Sequence, residues 1–212
     1  MNKPAHNIFH NDASLLACLS GAALLIIASD RLAHAITVAG ALIWVYGLSS
    51  LAARTGARIF PRRGRTALLA FLSSFFAGIY LLLLWILSPL CALETFFVIS
   101  LIPMFYMFSS LNRQLKLLSL EDIFYASLSE SLMLGALLVI FALIREPLGY
   151  LSLSVPGGTR GIVLLFSFTS ESFLPIHLIA SSCGALLLLG YFFALYRYLR
   201  AQYAPKEGKN GY

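Results

Sequence analysis

Charged side chains are scarce in this sequence of 212 residues: aspartate, glutamate, lysine and arginine together make up 11% of it. In soluble domains roughly a quarter of the residues are charged. Here 59% of the residues are hydrophobic, and the mean hydropathy is +0.85. The composition excludes an ordinary soluble domain and predicts an integral membrane protein that contacts the lipid bilayer.

Residue patterns that carry enzyme chemistry are also lacking. The three cysteines, Cys18, Cys91 and Cys183, lie far apart without the CxxC or Cys/His spacing of a zinc site or a disulfide framework. The sequence contains no glycine-rich phosphate loop, no paired His/Glu metal motif and no G-x-S-x-G elbow. We therefore predict neither catalytic residues nor a metal site built by this chain alone.

Long apolar runs are present instead, and short charged or Pro/Gly-bearing connections separate them. A helix of about 20 apolar residues crosses the ~30 Å hydrocarbon core of a bilayer. Six runs approach or exceed that length: Ala13–Ser29, Ala33–Ala53, Ala67–Leu87, Cys91–Leu111, Ala126–Ile144 and Leu174–Leu199. The sequence predicts an all-α membrane protein with six transmembrane helices in a single domain, residues 1–212.

Basic residues predict the orientation of these spans. If all six runs cross the membrane, one side receives twelve lysines and arginines and the other receives Arg31, Arg145 and Arg160. Because basic residues are retained on the cytoplasmic side, both termini, the connection 54–65 and the tail 200–212 are predicted to be cytoplasmic. The basic cluster lies beside membrane spans, which favours a topology signal and lipid headgroup contact over nucleic-acid binding.

Six spans divide into two halves of three, about 13–87 and 91–199, which predicts an inverted repeat because three is an odd number. In such repeats, helices interrupted at corresponding positions mark a binding site. Ser20 and Gly21 lie in the middle of the first run and Pro103 lies in the fourth. We expect interrupted first and fourth helices at these residues.

Arg145 and Glu146 follow the fifth apolar run and are themselves followed by Pro147. We expect this pair to end the helix at the outer mouth of the span, as outer-face structure or as a partner contact, because proline disfavours helical geometry in the preceding residue. The segment Pro147–Pro175 is then the long extracytoplasmic connection. Within it, Gly161–Phe168 is apolar but too short to span, so it is expected to lie in the interface or fold back onto the bundle.

Ionisable residues inside or beside the runs are few. Glu94, Glu130 and His177 each lie about one turn from an interface, where a solvated or helix-capping role is expected, and a proton or sodium relay carried by this chain alone is not predicted. The sequence Ala33-His34-Ala35 has the small-x-small form of a signal-peptidase site. We do not expect cleavage there, because Lys3 is the sole basic residue before the first run.

Three motifs resemble the small six-helix membrane subunits of the Rnf and Nqr ion-pumping electron-transport complexes. The sequences IREPLG at 144–149 and LSVPGG at 153–158 resemble the LRE-x-x-G element after the fifth helix of those subunits. FHNDASLL at 9–16 resembles their aromatic-x-Asn-Asn start, and LIP at 101–103 resembles the Ile-Pro of their broken fourth helix. Cytoplasmic termini with a basic tail are similar to the Rnf E or Nqr D orientation.

The resemblance implies a cofactor that the residues do not match. In that family each of two sister subunits supplies two cysteines to a shared [2Fe-2S] cluster, and thiolates are its usual ligands. Alignment on the quoted motifs puts these family positions at Ala22 and Ser109, with Cys18 one helical turn from Ala22. The cluster is thus the family expectation, while its ligand cysteines are missing here.

The resemblance implies a multi-pass subunit of an ion-translocating oxidoreductase in a bacterial inner membrane. This subunit would be a non-catalytic scaffold or gating half that pairs with an opposite-facing sister subunit and with other membrane subunits of the complex. Two alternatives stay open on the sequence. One is a stand-alone small-solute transporter or membrane-embedded binding subunit, and the other is a purely structural membrane protein.

Overall fold

A computed structural model of the chain describes residues 24–56, 65–109, 120–158, 161–167 and 177–203. It is mostly helical. The helices are α1 (Leu32–Gly56), α2 (Arg65–Leu87), α3 (Pro89–Phe108), α4 (Leu120–Tyr150), α5 (His177–Ala180) and α6 (Ser182–Tyr203), and two strands, β1 (Ser152–Pro156) and β2 (Ile162–Ser167), lie between α4 and α5. Residues 24–28 are also helical and precede α1.

Four helices in the described part of the chain are long and apolar enough to cross a membrane: α1, the stretch Ala67–Leu87 of α2, α3 and α4. For α1, α2 and α3, the spans predicted from the sequence agree with these bounds to within three residues at each end. α4 is longer than its predicted span by six residues at each end. Most of the predicted first span, together with Ser20 and Gly21, lies outside the described residues. The predicted sixth span is divided at Ser181 into the short α5 and the longer α6.

Helix α1 lies at the centre of the bundle and contacts α2, α3 and α4. Its small residues allow close approach, since Ala39 packs directly against Gly135 of α4, and the Tyr80 hydroxyl of α2 lies beside Gly40. The same hydroxyl donates a hydrogen bond to the Thr37 carbonyl. Much of α1 is therefore buried by protein, whereas long stretches of α2, α4 and α6 expose large apolar side chains. Exposed apolar faces of this kind suit lipid contact.

Contacts between α1 and its neighbours define two ends of the bundle. Leu32 of α1 meets Glu146 of α4, and Ser50 meets Ser127, so these two helices are antiparallel. We call the end where α1 and α3 begin the His34 end, and the end where α3 finishes the Ser109 end. In the predicted topology the His34 end is extracytoplasmic.

The proline in α3 does not break the helix, contrary to the sequence expectation. α3 runs continuously from Pro89 to Phe108 with Pro103 inside it. Proline removes one backbone hydrogen bond, but Pro103 is buried next to the buried Ile99 and Ile102, and this packing holds the helix on both sides. The expectation of an interrupted fourth helix at Pro103 is wrong.

A β-hairpin replaces the irregular connection that the sequence predicted after α4. β1 and β2 pair antiparallel, from Ser152 with Ser167 to Pro156 with Ile162. The turn between them closes through a hydrogen bond from the Gly157 amide to the Gly161 carbonyl, and Gly161 has a φ of +74°, which glycine adopts readily. The apolar segment expected in the interface is therefore mostly a strand of this hairpin.

Candidate functional site

Helical structure is interrupted at residues 29–31, immediately before α1, at the His34 end. Helix ends leave backbone carbonyls on one side and backbone amides on the other without helical partners, and burying such groups unpaired is unfavourable. Asp30 satisfies one of them, because its Oδ1 accepts a hydrogen bond from the Arg31 amide at 2.7 Å. The remaining partners come from distant parts of the chain.

Arg145 of α4 supplies donors to the carbonyl side of the interruption. Its Nη1 donates to the Ile26 carbonyl at 3.0 Å and to Ser29 Oγ at 2.9 Å. The other guanidinium nitrogens donate to the end of α5, with Nε bonding the Ile179 carbonyl and Nη2 bonding the carbonyls of Ala180 and Ser181. One buried guanidinium thus joins two helix ends, where the partial negative charge of the helix dipole favours a cation.

Glu146 supplies an acceptor to the amide side of the same interruption. Its Oε2 accepts a hydrogen bond from the Leu32 amide, the first residue of α1, at 2.7 Å. A carboxylate is favourable at a helix N-terminus for the same electrostatic reason. Ser154 of β1 lies beside it, and its Oγ accepts from the Ala33 amide at 3.5 Å. The hairpin therefore contributes to holding the first turn of α1.

The sequence expectation for Arg145 and Glu146 needs correction in two respects. The helix does not end at this pair, because α4 continues through Pro147 to Tyr150. Nor do the side chains face water, since Arg145 is 2% exposed and Glu146 is 1% exposed. Their acceptors and donors belong to residues more than 30 positions away, so local sequence could not reveal that the pair is internal.

His34, in the first turn of α1, lies between two carboxylates. Its Nδ1 is 2.8 Å from Asp30 Oδ1, and its Nε2 is 2.6 Å from Glu94 Oε2 on α3. The His34 side chain is 11% exposed, whereas those of Asp30 and Glu94 are 38% and 48% exposed. A buried imidazole thus connects two carboxylates that reach the surface.

The pKa of the Asp30 carboxyl is lowered from its ordinary value. Burial by itself raises this pKa, but the hydrogen bond and positive charge of His34, the Arg31 amide and the charge of Arg145 together outweigh burial. A carboxylate that accepts hydrogen bonds from several donors is stabilised in its charged form. Asp30 is consequently an anion that the surrounding donors hold in place.

A cavity of about 450 Å³ opens beside this group of side chains. Its polar lining includes Asp30, His34, Glu94 and Thr95, and its aromatic lining includes Tyr150. Arg31 also lines the cavity, with its guanidinium carbon 5.6 Å from the centre of the Tyr150 ring in a cation–π contact. The cavity has the mixed polar and apolar lining that small polar ligands or ions require.

Ser109 marks the opposite end of α3. It is buried, and its hydroxyl donates a hydrogen bond to Glu130 Oε1 of α4 at 2.8 Å. Next to it on the α1 side, the rings of Tyr46 and Tyr106 meet edge to face at 5.1 Å. Glu130 is partly exposed and accepts this hydrogen bond, and the solvated or helix-capping role expected from the sequence stays a prediction.

Ser109 is the one predicted cluster position that lies within the described residues. Ala22 and Cys18, like Ser20 and Gly21, lie outside the described residues. Ser109 offers a hydroxyl oxygen already engaged by Glu130. Of the described cysteines, Cys183 is exposed on α6, and Cys91 lies at the other end of α3, about 27 Å along the helix from Ser109. The donor set that [2Fe-2S] requires does not fit at Ser109.

Sequence reasoning missed His34, although its spacing carried a signal. Asp30 and His34 are four residues apart, the separation that brings side chains together at a helix start. Glu94 was noticed without its partner. The pairing across 60 residues depends on α1 and α3 lying side by side and cannot be read from either segment alone.

Comparison with known proteins gave no matching family model, no matching curated protein and no matching solved structure.

Proposed function

We propose that this chain is an integral subunit of an ion-translocating electron-transport complex of the Rnf/Nqr type in a bacterial inner membrane, with both termini in the cytoplasm. In that complex it is a non-catalytic scaffold or gating half that pairs with an opposite-facing sister subunit. The six-span inverted repeat and the partner subunits belong to this proposal. The membrane-compatible helices and the contacts of the IREPLG element support it.

The observation that carries the proposal is the position of the IREPLG element. Its Arg145 and Glu146 side chains make six hydrogen bonds at the His34 end of the bundle. Their partners lie before α1, at the start of α1 and at the end of α5. In this proposal the LRE-x-x-G element of the Rnf and Nqr subunits has the same role, that of binding both sides of a helix interruption.

Exposed apolar surface supports a role within a larger membrane assembly. On α2 the side chains of Phe71, Leu82 and Ile86 are more than half exposed, and on α6 so are those of Leu187 and Tyr191. These faces suit either lipid or the helices of other subunits, since interfaces inside a membrane are also apolar. Pairing with a sister subunit through one of them is part of the proposal.

Purification tests the proposal directly. The full-length chain carries an affinity tag in its native host and is isolated in a mild detergent, and bound flavin and iron are measured by absorbance and paramagnetic resonance. Co-isolation of flavin- and iron-bearing membrane proteins is expected. Isolation as a colourless monomer or homodimer would contradict the assignment. The same tagged chain expressed in a host without the partner genes is the control.

A double substitution tests the alignment that underlies the family assignment. In the intact assembly, Ala22→Cys with Ser109→Cys is expected to add iron–sulfur absorbance if these are the ligand positions. Ala22→Cys with Ser100→Cys is the matched control, because Ser100 is an exposed residue two and a half turns earlier on α3. Equal spectra from the two double variants would count against the alignment.

The second candidate function is a small-solute transporter or membrane-embedded binding subunit. The cavity of about 450 Å³ beside Asp30, His34 and Glu94 favours it, because this cavity has both charged and aromatic lining. The purification experiment separates the two candidates. A chain that is isolated without electron-transport partners, and that retains a solute, supports the transporter.

A further inference from the structure

The two hydrogen-bond contacts of His34 determine how many protons His34, Asp30 and Glu94 hold together. A neutral imidazole has one N–H donor and one acceptor nitrogen. Both ring nitrogens lie within hydrogen-bond distance of carboxylate oxygens, at 2.8 Å and 2.6 Å. An ionised carboxylate only accepts hydrogen bonds, so two ionised carboxylates with a neutral imidazole would leave one contact as a repulsion between lone pairs. The three side chains together therefore hold one additional proton.

The charges around His34 favour the same extra proton. Each neighbouring segment with a titratable side chain contributes to this region: Asp30 and Arg31 from the interruption, Tyr80 from α2, Glu94 from α3, and Arg145, Glu146 and Tyr150 from α4. Strand β1, which also packs here, has no titratable side chain. Three carboxylates against two guanidinium groups leave one negative charge, and a protonated His34 balances it.

Glu94 is the more exposed of the two carboxylates that contact His34. The imidazole is mostly buried, but Glu94 Oε2 contacts its Nε2, and the Glu94 side chain is 48% exposed and lines the cavity. Asp30 on the other ring nitrogen orients the imidazole through Nδ1. A carboxylate that reaches the surface and lies within hydrogen-bond distance of a buried base has the geometry for proton transfer.

We propose that His34 is a proton-binding site of the membrane bundle, loaded from water at the His34 end through the carboxylate of Glu94. In loading, a proton from water binds Glu94 Oε2, the resulting carboxyl group passes it to Nε2, and Glu94 returns to a carboxylate while His34 becomes an imidazolium. Release reverses these steps. Binding of the proton strengthens the contact between the first turn of α1 and the second turn of α3.

The site requires no second chain, so it is tested on the isolated protein and its outcome is independent of whether electron-transport partners co-purify. The full-length chain, labelled with ¹⁵N-histidine and reconstituted in lipid nanodiscs, gives ring-nitrogen NMR signals from its four histidines. The His34 signals are those that disappear in His34→Gln. Their chemical shifts distinguish the imidazolium from the neutral ring.

At pH 7 the wild-type His34 ring is expected to be an imidazolium, and it is expected to become neutral on raising the pH. In Glu94→Gln the imidazolium signal at pH 7 is expected to be lost. At pH 5, exchange of the Nε2 proton with water is expected to slow by at least about tenfold in that variant, because the transferring group is gone. Glu121→Gln, which removes an exposed carboxylate from the first turn of α4, is the control. It is expected to change neither the imidazolium signal nor the exchange rate of the Nε2 proton.

Two results would overturn the proposal. One is a neutral His34 ring in the wild type at pH 7. The other is a Glu94→Gln variant that keeps both the imidazolium signal at pH 7 and the wild-type exchange rate of the Nε2 proton. Thermal unfolding in the same nanodiscs verifies that the variant is folded. If Glu94→Gln does not fold, the wild-type protein still tests the proposal, through the titration of His34 and the exchange rate of its Nε2 proton. In a structural ion pair closed to water, this proton would not exchange with water and the ring would not respond to the pH of the medium.

Discussion

Arg145 and Glu146 are adjacent in the sequence and bind opposite sides of one helix interruption. The Arg145 Nη1 bonds the Ile26 carbonyl at 3.0 Å before the interruption, and the Glu146 Oε2 bonds the Leu32 amide at 2.7 Å after it. Each charge lies at the helix end whose dipole it complements. The pair therefore replaces the backbone hydrogen bonds that the interruption removes.

Replacing Arg145 is expected to destabilise the protein strongly. Arg145→Lys retains the charge but cannot reach the acceptors on both helix ends, and each buried carbonyl left without a donor costs about 1–3 kcal/mol. We expect a loss of at least about 3 kcal/mol in the free energy of unfolding, measured by denaturant titration in detergent micelles. Arg197→Lys, at an exposed position on α6, is the control. Equal stability of the two variants would contradict the role assigned to the guanidinium.

Two substitutions of Glu146 separate its charge from its hydrogen bond. Glu146→Gln keeps an oxygen that can accept from the Leu32 amide and is expected to cost about 1 kcal/mol through the lost dipole interaction. Glu146→Ala removes the acceptor and is expected to cost about 1–3 kcal/mol more, because a buried amide is left unpaired. Thermal or denaturant unfolding gives both values, and Glu121→Gln and Glu121→Ala serve as controls. A larger effect of glutamine than of alanine would argue against the cap.

Gly149 allows α4 and α5 to touch. A Cβ at this position would lie 2.8 Å from the Ala180 Cβ and 3.1 Å from the Ala180 backbone, and backbone cannot move aside without shifting the segment that Arg145 binds. Gly149→Ala is expected to destabilise by about 1–3 kcal/mol. Gly47→Ala on α1 is the control, because a Cβ there meets nothing within 4 Å. If the two variants unfold alike, the close approach of α5 is incorrect.

Stability is expected to fall in acid partly because of Asp30. Its pKa in the folded protein is depressed below the ordinary value of 3.8 by the hydrogen bond and charge of His34 and the other donors, against the effect of burial. A depressed pKa means that Asp30 contributes stability above pH 3.8, and that the contribution is lost as the pH falls through the folded-state value. Asp30→Asn should therefore lower Tm at pH 6 and flatten its decline between pH 5 and 3.

Glu121→Gln provides the comparison for this acid profile. It also removes one carboxylate but lies exposed at the far end of α4, so its profile should follow the wild type. An Asp30→Asn profile parallel to that of the wild type across the same range would contradict the assignment.

Apolar run length in the sequence placed the four helices that are long and apolar enough to cross a membrane, because a helix in lipid satisfies its own backbone and needs only apolar side chains. The prediction of Ala33–Ala53 against the observed Leu32–Gly56 illustrates this. The sequence prediction is wrong at Pro103 and Pro147, where proline favours the end or interruption of a helix. Both prolines lie within continuous helices, since tertiary packing outweighs the loss of a single hydrogen bond.

The site was predicted only in part. The sequence indicates Arg145 and Glu146 as a pair but does not predict their burial, because burial results from contacts with segments elsewhere in the chain. His34 was missed for the same reason. Spacing within one segment reveals the contact with Asp30, while the contact with Glu94 exists only once α1 and α3 are side by side.

The Leu32 amide and the Glu146 carboxylate that binds it are separated by 114 positions. During synthesis, α1 thus emerges from the ribosome and enters the bilayer long before the acceptor for its first amide has been made. The start of α1 must remain near water, or borrow another acceptor, until α4 has been inserted. Chains that stop before Glu146 are accordingly expected to have α1 in the membrane with its first turn frayed. Insertion of α4 is the step that completes the hydrogen bonding at that end of the bundle.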